Sequence, residues 1–244
     1  MIAVCVSGIA SFIPEYEKVI ELQKKVFGKY DFFFQQWEGY PEPKVPNCVF
    51  TPEPKWDYHV MADVKVKPDC SIFRRYTEKP NGKMYRKPRL FEQFKHSANQ
   101  QMAHYYLVES LPEKYKTIIR LRFDTLVSTK VDFDPYIKMA EDGWVIGFNT
   151  GQAPGGNPTP IHKLEEQAHD APGCPWRIWD HIQFHPRDRL ANVLEMKNRQ
   201  ELNGSEWGWY QIFAHQFNNM KYKNIFGGES IVKWTRQPLQ WDQF

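Results

Sequence analysis

The stretch TIIRLRFDTL, Thr117–Leu126, decides how this chain is read. Arg120, Arg122 and Asp124 occupy every second position and alternate with Leu121 and Phe123. In a strand, successive side chains point to opposite faces, so the three charged groups share one face. An uncompensated buried charge costs several kcal/mol. Two arrangements avoid that cost. Either Arg122 and Asp124 pair with each other or with neighbours, or the C-terminal end of the strand opens into a crevice, where open α/β sheets bind ligands. In a crevice the guanidinium forks suit phosphates, and the carboxylate suits a divalent metal or a ribose hydroxyl.

Working outward, the flanking chain alternates strands with helices. IAVCV, Ile2–Val6, is a short apolar run rich in β-branched residues and predicts a strand buried on both faces. A helix follows from near Pro14, with Tyr16, Val19, Ile20, Val26 and Phe27 at helical spacing and Gly28 at the stop. Tyr30–Trp37 reads as a second strand, so the chain opens as a βαβ unit. Residues 38–56 are rich in proline and predict irregular chain with a short strand near Cys48–Phe50. Phe91, Phe94, Ala98, Met102, Tyr105 and Val108 predict a helix over 90–109 that leads into the 117–123 strand. Further strands are expected at 144–148 and 176–184, and helices at 186–196 and 205–217 with Ser205 as N-cap. The closing stretch from Ile225 reads as a hairpin or edge strand. Residues 149–176 form a long polar, Gly/Pro-rich loop, and such loops are often functional. The fold expected is α/β: a Rossmann-like sandwich with a mainly parallel central sheet and helices on both faces.

With 244 residues and 41% hydrophobic content, the chain suffices for one large domain, here residues 1–244, or for two halves sharing a sheet. Aromatic residues at 16% supply both a large core and flat platforms for sugar rings or bases. The net charge of +3 is unevenly spread. Residues 65–95 hold ten Lys/Arg against three acids, an excess of seven, which leaves the remainder at −4. Such a segment suits a polyanionic partner, although a solvated lysine-rich surface has the same composition.

Cys5, Cys48, Cys70 and Cys174 form no Cys-x-x-Cys pair, which excludes a zinc ribbon or a redox motif of that kind. The start MIAVCVSG has neither the basic region nor the long apolar run of a signal peptide, and no window approaches 18 apolar residues. A soluble, cytoplasmic protein is the expectation. GQAPGGN, Gly151–Asn157, lacks the Lys-Ser/Thr of a phosphate-binding P-loop, and His162, His169, His181 and His185 show no His-Glu-x-x-His spacing.

Several stretches together resemble small GT-A-type nucleotide-sugar glycosyltransferases of viral or bacterial type. TIIRLRFDTLVS is similar to their metal-binding segment, with Arg-x-Asp in place of Asp-x-Asp. IAVCVSGIASFI resembles the first nucleotide-binding strand and its loop, FEQFKHSANQQMAHYYL the helix before the metal strand, and WDHIQFHPRDRLANV the later acceptor-side strand and helix.

The resemblance implies a GT-A fold in which residues 1–130 bind the nucleotide sugar and 131–244 the acceptor. Asp124 would hold the donor diphosphate and a divalent metal, Mn2+ or Mg2+. Arg122 stands where the first acid of the pair is usual, and a cation there takes over part of the charge neutralisation. Ser7, Gly8, Arg120 and Arg122 are the other candidate donor contacts. Asp180 is the first candidate for base or acceptor contact, and Glu206 the second. The acceptor side is expected to use Arg74, Arg75, Arg86, Lys87, Arg89, Trp207 and Trp209, with one of the two tryptophans packing in the core. The donor expected is a UDP-sugar. The acceptor is a glycan or a hydroxymethylated base in DNA, for which the basic segment and base extrusion would be needed. The other reading is a nucleic-acid-binding protein that uses residues 65–95 without catalysis. As a cleft acid outside the core, Asp124 is expected to be replaceable by Ala with little effect on folding.

Overall fold

β1 (Ile2–Ser7) lies inside an eight-stranded sheet and is buried on both faces, with Ala3, Val4, Cys5 and Val6 fully buried. The coordinates are a computed structural model that describes residues 1–13, 15–57, 87–149, 165–167, 178, 180–199, 202, 209, 212–213, 220–226 and 231–233. α1 (Tyr16–Phe27) follows β1 and ends at Gly28, where an added Cβ would lie 2.3 Å from the Lys24 carbonyl oxygen. Then come β2 (Asp31–Trp37), β3 (Cys48–Thr51), α2 (Lys87–Glu109), β4 (Thr117–Arg122) and β5 (Thr125–Val127). The second half provides α3 (Asp134–Glu141), β6 (Val145–Asn149), β7 (Glu165–Gln167), β8 (Ile182–Pro186), α4 (Val193–Asn198), β9 (Tyr222–Phe226) and β10 (Ile231–Lys233).

The sheet order is β3-β2-β1-β4-β8-β6-β9-β7, so strands from both halves of the chain share one sheet. β1 pairs in parallel with β2 and with β4, where Cys5 lies opposite Arg120 and Ser7 opposite Arg122. Four of the seven pairings are parallel, and β8 runs antiparallel to both β4 and β6. The period of two in β1 sorts its residues between two cores. Ala3 and Cys5 pack on the face covered by α2 and α4, with Met102, Leu107 and Val193. Val4 and Val6 pack on the face covered by α1 and α3, with Phe27, Ile119 and Ile137. Helices on both faces of a mainly parallel sheet are the architecture expected of the sequence.

From β1 the chain moves through α1 to β2 and β3 on one side, then returns through α2 to β4 on the other side of β1. The strand order therefore reverses between β1 and β4. In open α/β sheets that reversal leaves a crevice at the carboxyl ends of the two strands, because the connections depart to opposite faces.

Some boundaries differ from the sequence expectation. The later strand is β8, Ile182–Pro186, rather than 176–184, and Asp180 and His181 form a bend before it. The helix expected at 186–196 is a 3-10 turn at Arg187–Leu190 followed by the short α4. There the Arg187 guanidinium donates to the carbonyls of Leu111 and Pro112, which ties the turn to the end of α2. The closing stretch is not a hairpin: Ile225 and Phe226 belong to β9 in the main sheet, whereas β10 pairs antiparallel with β5 in a separate two-stranded sheet. Of the long loop, Asn149 ends β6, Glu165–Gln167 pairs with β9, and the rest lies outside the described residues. Residues 205–217 lie largely outside them, although 209 and 212–213 are helical. Among the described residues no helix is long and apolar enough to cross a membrane.

Candidate active site

A cleft of about 430 Å3 opens at the β1–β4 reversal. Its floor is Ser7 at the end of β1 with Gly8 after it, and Arg122 at the end of β4 with Phe123 and Asp124 after it. Gly8 has φ 137°, a conformation that side-chain-bearing residues rarely adopt, and this lets the chain turn over the strand end. One wall is α2, through Lys95, Asn99 and Gln100. Trp37, Tyr40 and Phe12 are aromatic walls, and the exposed Phe12 ring meets Tyr40 edge-on at 5.6 Å.

At the end of β4 the two arrangements weighed from the sequence coexist. Arg122 and Asp124 form a bidentate pair, with Nε donating to Oδ1 at 2.8 Å and Nη2 to Oδ2 at 2.7 Å. Both side chains are nearly buried, and both line the cleft. The Asp180 Oδ2 lies 3.7 Å from Arg122 Nη1 on the other side of the guanidinium. Burial works to lower the pKa of Arg122, but the charges of Asp124 and Asp180 and the hydrogen bonds to Asp124 outweigh it and hold it above its ordinary value.

Arg120, two residues earlier on the same face, does not line the cleft. It is fully buried, donates through Nη1 to the main-chain carbonyl of Asp180, and stacks on Trp209 with Cζ 4.6 Å from the ring centroid. Burial pushes its pKa down to about 9, with Asp180 opposing the shift, so it stays charged at neutral pH. Trp209 is itself fully buried and stacked on Phe213. A ligand in the cleft touches neither Arg120 nor Trp209. Trp209 takes the core role expected of one tryptophan, and Arg120 becomes an internal prop rather than a donor contact. The structure thus gathers Ser7, Gly8, Arg122 and Asp124 at the cleft, with Asp180 against Arg122. Glu206, Trp207, Arg74, Arg75 and Arg86 lie outside the described residues. Lys87 and Arg89 fall in the first turn of α2, and their side chains lie outside the description as well.

Behind Arg120, His104 of α2 and His185 of β8 meet with Nε2–Nε2 2.9 Å apart, both fully buried. His185 Nδ1–H donates to the Pro186 carbonyl, so its Nε2 is bare and accepts from His104 Nε2–H. Burial, then His185 and Arg120, hold the His104 pKa well below its ordinary value. Burial, with Arg120 and Arg189, brings His185 down to about 4 against the opposing bond to Pro186.

The expected metal does not fit the residues as they stand. Each oxygen of Asp124 already accepts from Arg122, and a dication there would stand beside a guanidinium. Among the described residues no three His, Cys, Asp or Glu side chains converge.

The α2 wall is what the sequence reading missed. Lys95, His96, Asn99 and Gln100 recur at three- and four-residue spacing beside the apolar stripe and line the cleft together. A polar stripe flanking an amphipathic helix's apolar face was the available signal. Asn99 also anchors the segment after β3, donating to Glu53 and accepting from Trp56 Nε1 at 2.7 Å.

No protein-family model matches the chain, and no curated protein matches its sequence. Solved structures do. The chain is similar to 4-diphosphocytidyl-2C-methyl-D-erythritol synthase of Anaerococcus prevotii, with 10% identity over 97% of this chain and 93% of that one, at a TM-score of 0.53. It is similar to a glycosyltransferase involved in glycosylation of the major capsid of PBCV-1, with 14% identity over 91% and 80% and a TM-score of 0.43. It is also similar to S. aureus TarS residues 1–349 in complex with UDP-GlcNAc, with 11% identity over 100% and 61% and a TM-score of 0.45. At such identities the likeness concerns the fold alone, and the first of the three agrees with a Rossmann-like α/β sandwich with a mainly parallel sheet.

Proposed function

We propose that this chain transfers a sugar from a nucleoside-diphosphate sugar, UDP in the first instance, to an acceptor hydroxyl. The observation that carries the reading is the cleft at the β1–β4 reversal, with Ser7–Gly8 on one strand end and the Arg122–Asp124 pair on the other. Ligands of open α/β sheets bind at that place. The volume suits a small organic ligand, the aromatic walls suit a base or a sugar ring, and a guanidinium edge suits a diphosphate.

In the reaction the bond from the anomeric carbon to the diphosphate oxygen breaks, and its electron pair leaves with the diphosphate. The acceptor oxygen forms the new bond, and its proton passes to a base. Asp180 is assigned that role in an inverting transfer. Its carboxylate does not line the cleft itself but flanks the cleft residue Arg122, 3.7 Å from Nη1, and its main chain is fixed by Arg120. The acceptor is a glycan or a hydroxymethylated DNA base. The latter is the case in which the basic segment 65–95 has a use beyond solubility.

Thermal shift of the full chain with UDP-, GDP- and dTDP-sugars tests the donor, because a ligand that binds only the native state raises Tm by mass action. A rise with one nucleotide series, lost in Arg122→Ala, is the expected result. No rise with any of them refutes the reading.

A further inference from the structure

We infer that the leaving diphosphate in this cleft is met by the Arg122 guanidinium in place of a divalent cation, so that donor binding and transfer proceed without metal. The inference rests on the donor reading above and goes on to say how that site handles charge.

Asp124 and Asp180 are the two carboxylates beside the end of β4, and the position between them is filled. Arg122 holds Asp124 with Nε and Nη2 at 2.8 and 2.7 Å and stands 3.7 Å from Asp180 through Nη1. A dication bound by Asp124 would have to break a bidentate pair and then remain next to the displaced cation in a nearly buried site, where like charges are screened least. Glu53, the other acid lining the cleft, accepts from Asn99 on α2.

The geometry also leaves the guanidinium with donors to offer. Of its five N–H groups, the pair with Asp124 uses two. Among the described residues, Nη1 has only long contacts, 3.5 Å to Gln100 Oε1 and 3.7 Å to Asp180 Oδ2. Gln100 and Arg122 both line the cleft, so this edge faces the space where a diphosphate would lie. A phosphate oxygen would exchange a loose contact for a short, charge-assisted one. Asp124 then acts as a positioning residue, because its two bonds fix the plane of the fork.

The charges balance without a further cation. Arg120 and Arg122 offset Asp124 and Asp180, so with the neutral form of His181, 3.9 Å from Asp180, the buried cluster is neutral at rest. When the bond to the anomeric carbon breaks, the diphosphate gains one negative charge. When Asp180 accepts the acceptor's proton, the cluster becomes singly positive. The positive charge therefore appears beside the leaving group in the same step, in a site preorganised to hold it.

The test uses the full chain. Binding of UDP and of UDP-glucose, UDP-galactose and UDP-N-acetylglucosamine is measured by calorimetry, and donor hydrolysis is followed, each in EDTA and in Mn2+. The inference expects affinity and hydrolysis in EDTA to equal those in Mn2+, and expects electron paramagnetic resonance to find no Mn2+ bound by the protein–UDP complex beyond that bound by UDP alone. Arg122→Asp, which restores the Asp-x-Asp spacing, should lose hydrolysis by about a hundredfold in EDTA and recover part of it in Mn2+. Arg122→Lys keeps the charge without the fork and should fall in both media alike. Loss of wild-type binding or hydrolysis in EDTA with recovery in Mn2+ overturns the inference while leaving the donor reading intact. The same holds for a protein-bound Mn2+ signal. Failure of every nucleotide and nucleotide sugar to bind in either medium overturns the donor reading and the inference with it.

Discussion

Lowering the pH from neutral should destabilise this protein through the His104–His185 pair before most carboxylates titrate. Both rings are neutral in the fold, since one Nε2–H donates to the other bare Nε2, and a proton added to that nitrogen would break the contact. The sign follows from linkage. Both folded pKa values lie below the unfolded ones, so the unfolded chain takes up protons first. Stability is therefore fully present above about pH 6.5 and is lost as pH falls toward the folded value. For His185, brought to about 4 in the fold, the loss between pH 7 and pH 5 is about 2 kcal/mol. His104 shifts in the same direction and adds to it. A loss of that size lowers Tm by roughly 4–8 °C in a chain of this length. Urea unfolding at pH 7, 6 and 5 measures it, compared with His185→Gln, whose amide oxygen still accepts from His104. The comparison removes titrations common to both proteins. The variant should have the flatter profile. Parallel profiles would refute the reasoning and place the acid sensitivity elsewhere.

Asp124→Ala should cost about 3–5 kcal/mol in urea unfolding, because it leaves a nearly buried Arg122 with only the long contacts to Gln100 and Asp180 among the described residues. That corrects the expectation of little effect on folding, since the cleft acid is also half of an internal ion pair. Asp124→Asn keeps an acceptor for Arg122 and should retain most of the stability while transfer falls, so equal losses in both assays would contradict the positioning role. Gly8→Ala should raise the donor KM with a modest drop in Tm, because φ 137° is strained with a Cβ although space exists, the nearest atom to the added Cβ being Phe123 Cδ2 at 3.7 Å. An unchanged KM would remove Gly8 from the donor floor. For the basic segment, replacing Arg86, Lys87 and Arg89 with Ala should flatten the salt dependence of duplex DNA binding, whose logarithmic slope is about −0.9 per phosphate contacted. A wild-type profile as flat as that for a neutral oligosaccharide would end the case for a DNA acceptor.

Where the residue pattern had a single period, the sequence was enough. The unbroken apolar run of β1 is a strand covered on both faces, as read, and Thr117–Arg122 lies beside it in the same sheet. The boundaries that failed were set by tertiary contacts. Arg187 donates to the carbonyls of Leu111 and Pro112 just after α2, at the place where a 3-10 turn stands instead of a regular helix. β10 leaves its sequence neighbour β9 for β5, a pairing between residues about a hundred positions apart that no local signal announces. In the site, a period of two fixes the face of a side chain but not its depth. Arg120 and Arg122 share a face, yet two residues are close to 7 Å of strand. That distance carries the first under Trp209 and leaves the second at the cleft.

Depth also explains why two arginines are needed. Replacing a buried ion pair with well-packed apolar groups is often neutral or stabilising, so selection for stability alone would not maintain four charged side chains inside this sheet. Arg120 makes no contact with the cleft, but it donates to the main chain of Asp180, and Asp180 flanks Arg122. Its guanidinium lies over Trp209, whose ring meets His104 of the neutral histidine pair edge-on. Were the histidines protonated, three positive groups would crowd one buried volume and Arg120 would be driven off Asp180. Arg120, too deep to line the cleft, thus fixes the main chain of Asp180 beside Arg122, and its charge adds to the burial that keeps the two histidines neutral.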